Sequence, residues 1–277
     1  MARQKRIMFL GTCRVYDPAK VIATEKQAYI RLTPHRLHTT GQILHFIDHM
    51  NQTPLAVDAY RLDLLHLVSD YAAREILVKA TARQVLLDEL AQLRTVWSSF
   101  DAFVIEISTR REYTASLNGQ PFTVNTFSAR DQQLYAAALQ AQAATGVCAP
   151  ALEIVSHMAT TGIALREMRQ IKQDLGGRPI IWVSHMRPAA ADPSAAKAMQ
   201  GRAEMAAFLR AAAESLGDGF VDPSETAAQM GQAVFFNKNG SDFDHLSAAA
   251  TRTMAKVYLK AVMTQIALAR SNATPPR

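Results

Sequence analysis

Cys13 sits in Phe9-Leu10-Gly11-Thr12-Cys13-Arg14, after a short apolar run and a glycine. If a helix starts there, its positive N-terminus and the adjacent Arg14 would both favour the thiolate, which is the nucleophilic form. The competing reading is a small packed residue, because cysteine is among the most buried side-chain types. Near the other end, Asp242-Phe243-Asp244-His245-Leu246-Ser247 precedes a long helical pattern. With the spacing Asp-x-x-His, the Asp242 carboxylate can accept the proton on one imidazole nitrogen of His245, leaving the other nitrogen to face a nucleophile. Asp244 is an alternative orienter or a helix cap. Asp63-Leu64-Leu65-His66 repeats the spacing inside an amphipathic pattern, where a solvated helical pair explains it better.

Other polar residues fall where a parallel sheet binds ligands, beyond the carboxyl ends of its strands. Ser108-Thr109-Arg110-Arg111 follows one apolar run, His185-Met186-Arg187-Pro188 another, and Asp222-Pro223-Ser224 a third. Arg14, Arg110, Arg111 and Arg187 would make that edge basic and suited to carboxylates or phosphates. The alternative is that they pair with Glu106, Glu112 or Asp17. His35, His38 and His185 are candidates to touch substrate. His45 and His49 stand four apart on a helical pattern but lack the His-Glu-x-x-His arrangement. No cysteine–histidine set has metal-ligand spacing, so no metal is expected. Cys148 reads as packed.

The elements that must position these residues follow from the apolar pattern. Ile7–Leu10, Phe103–Ile107, Ile180–Ser184 and Phe220–Val221 read as buried strands, with a further one near Ala28–Leu32. Helical periodicity covers Gln42 to Met50, Leu62 to Leu93 as two helices, Asp131 to Ala144, Ser156 to Leu175, Ala195 to Leu216 and His245 to Ala269. Alternating strands and helices predict a three-layer α/β/α sandwich, flavodoxin-like, around a short parallel sheet. Asn118-Gly119, between alternating segments in Glu112 to Asn125, predicts a small inserted β-hairpin. One domain over residues 1–270 is expected, with a frayed tail from Ser271 to Arg277.

The chain has 277 residues, 49% hydrophobic and 19% charged, which suits a packed core and excludes global disorder. The net charge of +6 comes without a basic stripe interleaved with aromatics, so nucleic acid is not an expected partner. Two cysteines cannot build a disulfide framework. No segment reads as a signal peptide or a membrane span, so the expectation is a cytoplasmic protein without membrane contact.

The first and last blocks together resemble the SGNH (GDSL-type) hydrolase superfamily. There the first block is strand, Gly-Asp-Ser, helix, and the last is Asp-x-x-His before the terminal helix. Gly11-Thr12-Cys13-Arg14 is closer to the branch reading Gly-Ser-Cys-Phe-Ala, which includes a cysteine-bearing capsule polysaccharide acetyltransferase group. The resemblance implies an SGNH-like fold, with Cys13 as nucleophile, His245 as general base and Asp242 as its orienter. It also implies an oxyanion hole built from the Cys13 backbone N–H and Gly41. The family's Gly-x-Asn-Asp block is absent, and Ser108 or Arg110 stands where its asparagine would be. A lost oxyanion donor costs roughly 3–4 kcal/mol of barrier.

The function expected is acyl transfer through a Cys13 thioester. With water as acceptor this is esterase or thioesterase activity on a small or carbohydrate ester, which the basic edge would suit if the ester is anionic. With a sugar hydroxyl as acceptor it is O-acetyl transfer from an acyl-coenzyme A, the one cofactor-like molecule implied. Arg14, His185 and Arg187 are the expected substrate contacts. A non-catalytic binding protein is the remaining alternative. The oligomeric state is not legible.

Overall fold

The computed structural model describes residues 3–34, 36–51, 80–117, 120–124, 153–188 and 196–273. The chain divides into two compact units. One comprises Met1–Thr33, Ser99–Thr109 and Met168–Arg277; the other comprises Pro34–Ser98 and Arg110–Glu167.

The first unit is built on a parallel sheet. Strands β1 (Arg6–Leu10), β2 (Tyr29–Leu32) and β3 (Ala102–Ile107) belong to it, as do the later strands Ile180–Ser184 and Gly219–Val221. The order is β2, β1, β3, Ile180–Ser184, Gly219–Val221, and every neighbouring pair is parallel. This is the expected α/β fold with helices flanking a short parallel sheet. Helix α1 (Cys13–Thr24) returns the chain from β1 to β2. The last helix, Ala248–Ala273, packs against α1 and against β3. Its Ala250, Met254, Ala255, Tyr258, Val262 and Ile266 recur at helical spacing and bury one stripe. That stripe meets Val15, Ala19 and Ile22 of α1 and the sheet residues Ile7, Phe9, Ala102, Val104, Ile181 and Val183.

The second unit holds helix α2 (Thr40–Asn51), helix α3 (Ala80–Val96) and a small antiparallel sheet. Strand β4 (Arg111–Leu117) pairs with β5 (Gln120–Val124) as the expected hairpin, although its turn at 118–119 lies outside the described residues. A third strand, β6 (Glu153–Met158), joins β4 from the other side in the register Arg111↔Met158 to Ser116↔Glu153. Helix α4 (Thr161–Asp174) follows it.

The later elements include β7 (Ile180–Ser184), α5 (Ala196–Leu216), β8 (Gly219–Val221), α6 (Pro223–Met230), β9 (Asp242–Leu246) and α7 (Ala248–Ala273). Helix α5 packs on β7 and β8.

Three expectations are corrected. Ser156–Met158 is strand rather than helix, because β4 offers an edge to pair with. The Thr160 hydroxyl then accepts the Ile163 N–H at 3.2 Å and starts α4 only afterwards. His245 lies in β9 rather than in the terminal helix, whose start is set by Ser247: its Oγ accepts the Ala250 N–H at 3.1 Å. Ser271–Ala273 of the expected tail continue α7. The helices expected over 62–79 and 131–144, the Asp63–His66 pair, His35 and Cys148 lie outside the described residues. Among the described residues, no helix is long and apolar enough to cross a membrane.

Candidate active site

The turn after β1 is held from below. Gly11 has φ +150°, and a Cβ there would fall 2.7 Å from Glu106 Cβ and 2.9 Å from Val15 Cγ2, so only glycine fits. Thr12 is the extended N-cap of α1, and its carbonyl accepts the N–H groups of Val15 and Tyr16 at 3.1 and 3.0 Å. Its hydroxyl does not cap the helix. It donates instead to Glu106 Oε2 at 2.6 Å, and the Thr12 backbone N–H donates to the same oxygen at 2.9 Å. Arg14 Nε donates to the other oxygen, Oε1, at 2.5 Å. Glu106 is 0% exposed, so these three donors answer the cost of burying its charge.

Cys13 is half-buried and is the first residue of α1. The helix N-terminus therefore lies at its thiol, as the sequence predicts. Burial alone would weaken Arg14 as a cation. The Glu106 carboxylate more than offsets this, with smaller contributions from Cys13 and the Asp244 carboxylate, so Arg14 stays protonated more firmly than an ordinary arginine. Tyr258 lies wholly buried in the same electrostatic neighbourhood. Burial, and then Glu106, hold its phenol well above its ordinary range, and its hydroxyl has no hydrogen-bond partner among the described residues.

Asp242 and His245 share β9, a strand that packs beside α1. Lys238 and Asn239 adopt left-handed backbone (φ 49° and 55°) in the turn before it. Isolated bridges Asn237↔Asp242 and Phe236↔Leu246 then fix the strand. His245 Nδ1 donates to Asp242, at 2.9 Å from Oδ1 and 3.1 Å from Oδ2. That hydrogen bond is the main reason the Asp242 carboxyl titrates below the usual carboxylate range. With Nδ1 so engaged, Nε2 is the basic nitrogen. Asp244 does not orient His245; it pairs with Arg202 Nη2 at 2.8 Å and lies 3.7 Å from His185 Nε2.

The other expected site residues divide. His185 and Arg187 follow β7 in the same unit as Cys13, and Ser108 follows β3 there. His185 Nδ1 lies 2.7 Å from the Met186 carbonyl. Arg187 Nη2 pairs with Asp222 Oδ2 at 2.9 Å, while Asp222 also caps α6 by accepting the Ser224 N–H at 2.9 Å. Arg14 and Arg187 thus both have carboxylate partners, the first on Glu106 as the alternative reading allowed. Gly41 and Arg110 belong to the second unit. There a Cβ on Gly41 would fall 2.6 Å from Glu112 Oε1, and the Arg110 carbonyl accepts the Ala159 N–H at 2.9 Å.

The sequence offers Glu106 only as a partner for arginine, whereas the structure buries it at the centre of the turn. Its signal was available: one carboxylate in the otherwise apolar strand Ala102–Ile107 must find donors. Arg202 and Tyr258 carried no comparable signal, being ordinary positions on helical patterns.

Residues 126–261, just under half of the chain, match the family described as the TviD N-terminal domain. The match includes Asp242 and His245 and leaves out Cys13 and Glu106. No curated protein matches the chain. Among solved structures, an acetylxylan esterase from Geobacillus stearothermophilus (Axe2, a catalytic mutant) is similar at 11% identity, with a TM-score of 0.43 and 95% of each chain covered. A protein assigned as an SGNH hydrolase from Slackia heliotrinireducens has 12% identity and a TM-score of 0.44, over 94% of this chain and 99% of that one. A protein assigned as a GDSL-like lipase from Parabacteroides merdae has 12% identity and a TM-score of 0.42, over 95% and 97%. With its parallel sheet, its Gly-Thr-Cys-Arg turn after β1 and its Asp-x-x-His strand before the last helix, the chain resembles the SGNH hydrolases and, over residues 126–261, is similar to the TviD N-terminal domain.

Proposed function

We propose that the chain is an acyl-transfer enzyme that works through a thioester on Cys13. The observation that carries this reading is the Asp242–His245 contact at 2.9 Å, on a strand packed beside the helix that begins with Cys13. His245 Nε2 takes the Cys13 proton, and the thiolate attacks the carbonyl carbon of an ester. The tetrahedral intermediate collapses, the acyl–oxygen bond breaks, and the leaving alkoxide takes the proton from His245. An acyl-cysteine remains. An acceptor hydroxyl then gives its proton to His245 and attacks the thioester, and the protonated histidine returns the proton to the sulfur. Asp242 holds the imidazole in one tautomer throughout and stabilises its cation.

The Cys13 backbone N–H at the start of α1 is the first oxyanion donor, with Ser108 of the same unit as the candidate for the second. Water as acceptor gives an esterase or thioesterase, the leading form of the proposal. An acyl-coenzyme A donor with a sugar hydroxyl acceptor gives an O-acyltransferase. The resemblance of Gly11-Thr12-Cys13-Arg14 to the cysteine-bearing polysaccharide acetyltransferase branch supports that second form.

The test is turnover of 4-nitrophenyl acetate and of acetyl-coenzyme A, each with and without oligosaccharide acceptors, in wild type and in Cys13→Ala, His245→Ala and Asp242→Asn. Loss of turnover in all three variants with fold retained supports the proposal. Wild-type turnover undiminished in Cys13→Ala overturns it. No turnover of any donor by wild type favours a binding role on this scaffold.

A further inference from the structure

We propose that Arg14 and Glu106 set the acidity of Cys13 as opposed charges, with Glu106 the positioning residue that holds both Arg14 and the nucleophile turn. The inference deepens the reading of Cys13 as the reactive thiol and rests on it for its catalytic meaning.

Glu106 binds the turn at both of its ends. One carboxylate oxygen takes the backbone N–H and hydroxyl of Thr12, the residue before Cys13, and the other takes Nε of Arg14, the residue after it. Gly11 closes over the same side chain, with no room for a Cβ. The turn cannot shift without breaking a bond to a buried carboxylate. Arg14 is itself buried, follows Cys13 in the chain and interacts with it through charge, so that charge is poorly screened.

The signs then follow. A cation beside a thiol favours the thiolate, and a carboxylate beside it disfavours the thiolate. Arg14 therefore lowers the Cys13 pKa, while Glu106 moderates that effect and keeps Arg14 in place. Among the described residues, the other charged or titratable groups around this neighbourhood are Asp242, Asp244 and His245 on β9, Tyr258 on α7, Tyr16 on α1, and His185 with Arg202 through Asp244. All of them remain in the variants below, so a difference between variants reports the Arg14–Glu106 pair.

A purely structural role makes a different prediction. If the pair only held the turn, removing either partner would loosen it and move the thiol the same way, towards an ordinary cysteine. Opposed charges move it in opposite directions.

The experiment is the pH dependence of iodoacetamide alkylation at the Cys13 peptide, read by mass spectrometry, for wild type, Arg14→Gln, Glu106→Gln and the double variant. Arg14→Gln is expected to raise the midpoint by about one pH unit, and Glu106→Gln to lower it by a similar amount. Glu106→Gln leaves a buried unpaired arginine and is at risk of misfolding. The double variant removes both charges, and its midpoint is expected below that of Arg14→Gln alone. Midpoints that rise together in both single variants, or a double variant no lower than Arg14→Gln, overturn the proposal. Alkylation needs no acyl chemistry. Opposite shifts in a protein that forms no acyl-cysteine would therefore sink the proposed function and leave the charge arrangement standing.

Discussion

Thr12 gives both its backbone N–H and its hydroxyl to one oxygen of Glu106, at 2.9 and 2.6 Å, although Thr12 is the N-cap of α1. A threonine in that place ordinarily caps its helix. Here the hydroxyl satisfies a buried carboxylate instead. Thr12→Val keeps the shape and removes that donor, and is expected to cost about 1.5–3 kcal/mol, the range for hydrogen bonds to charged groups. Thr12→Ser should cost little. Urea denaturation of the two variants checks this, and equal midpoints would remove the hydroxyl from the account.

Gly11→Ala is expected to destabilise the chain by about 1–3 kcal/mol or more, since it adds overpacking against Glu106 Cβ to an unfavourable backbone angle. Thermal unfolding measures the loss. Cys13 alkylation at fixed pH should change with it, because the same turn carries the thiol.

Asp242→Asn should leave the fold intact and reduce acyl transfer by about 10³–10⁴-fold, through loss of the correct imidazole tautomer. The pH dependence follows from the sign of the shift. The Asp242 carboxyl titrates below its ordinary value, so its contact with His245 is stabilising above the unfolded pKa and is lost as pH falls through the lower folded one. Carboxyl-carbon NMR titration of Asp242 should therefore move up towards the ordinary value in His245→Ala.

Asp218 behaves in the opposite sense. Burial raises its pKa despite hydrogen bonds from Lys172 at 2.9 Å and Trp182 at 3.1 Å. A raised carboxyl pKa means the folded state binds the proton more tightly, so the ionised form costs stability above the ordinary pKa, and that cost disappears as pH falls. Asp218→Asn can still accept from Trp182 but turns its amide N–H groups towards the Lys172 ammonium; with no carboxyl left to titrate, its stability should vary less with pH than that of wild type between pH 3 and 7. Denaturation at several pH values between 3 and 7 tests this.

What was legible in the sequence was whatever local pattern decides. Three of the five strands of the main sheet are readable because Ile7–Leu10, Phe103–Ile107 and Ile180–Ser184 are short, apolar runs, and helices separate them. Asp242–His245 was readable because its spacing is local. The strand Glu153–Met158 was not, since it depends on pairing with β4 from a distant part of the chain. Periodicity alone carries the terminal helix back to His245, because the stop at Ser247 lies in a cap. The role of Glu106 needed the fold, because only strand order sets it under Gly11–Arg14.

The most direct test of the central claim is intact-protein mass spectrometry after brief exposure to acetyl-coenzyme A and, separately, to an activated acetyl ester, with Cys13→Ala alongside. The account predicts one acetyl adduct on wild type, mapped to Cys13 and absent from the variant, with the donor that forms it separating transferase from hydrolase. An adduct that persists in Cys13→Ala, or none on wild type with either donor while a control thiol enzyme is labelled, would contradict it.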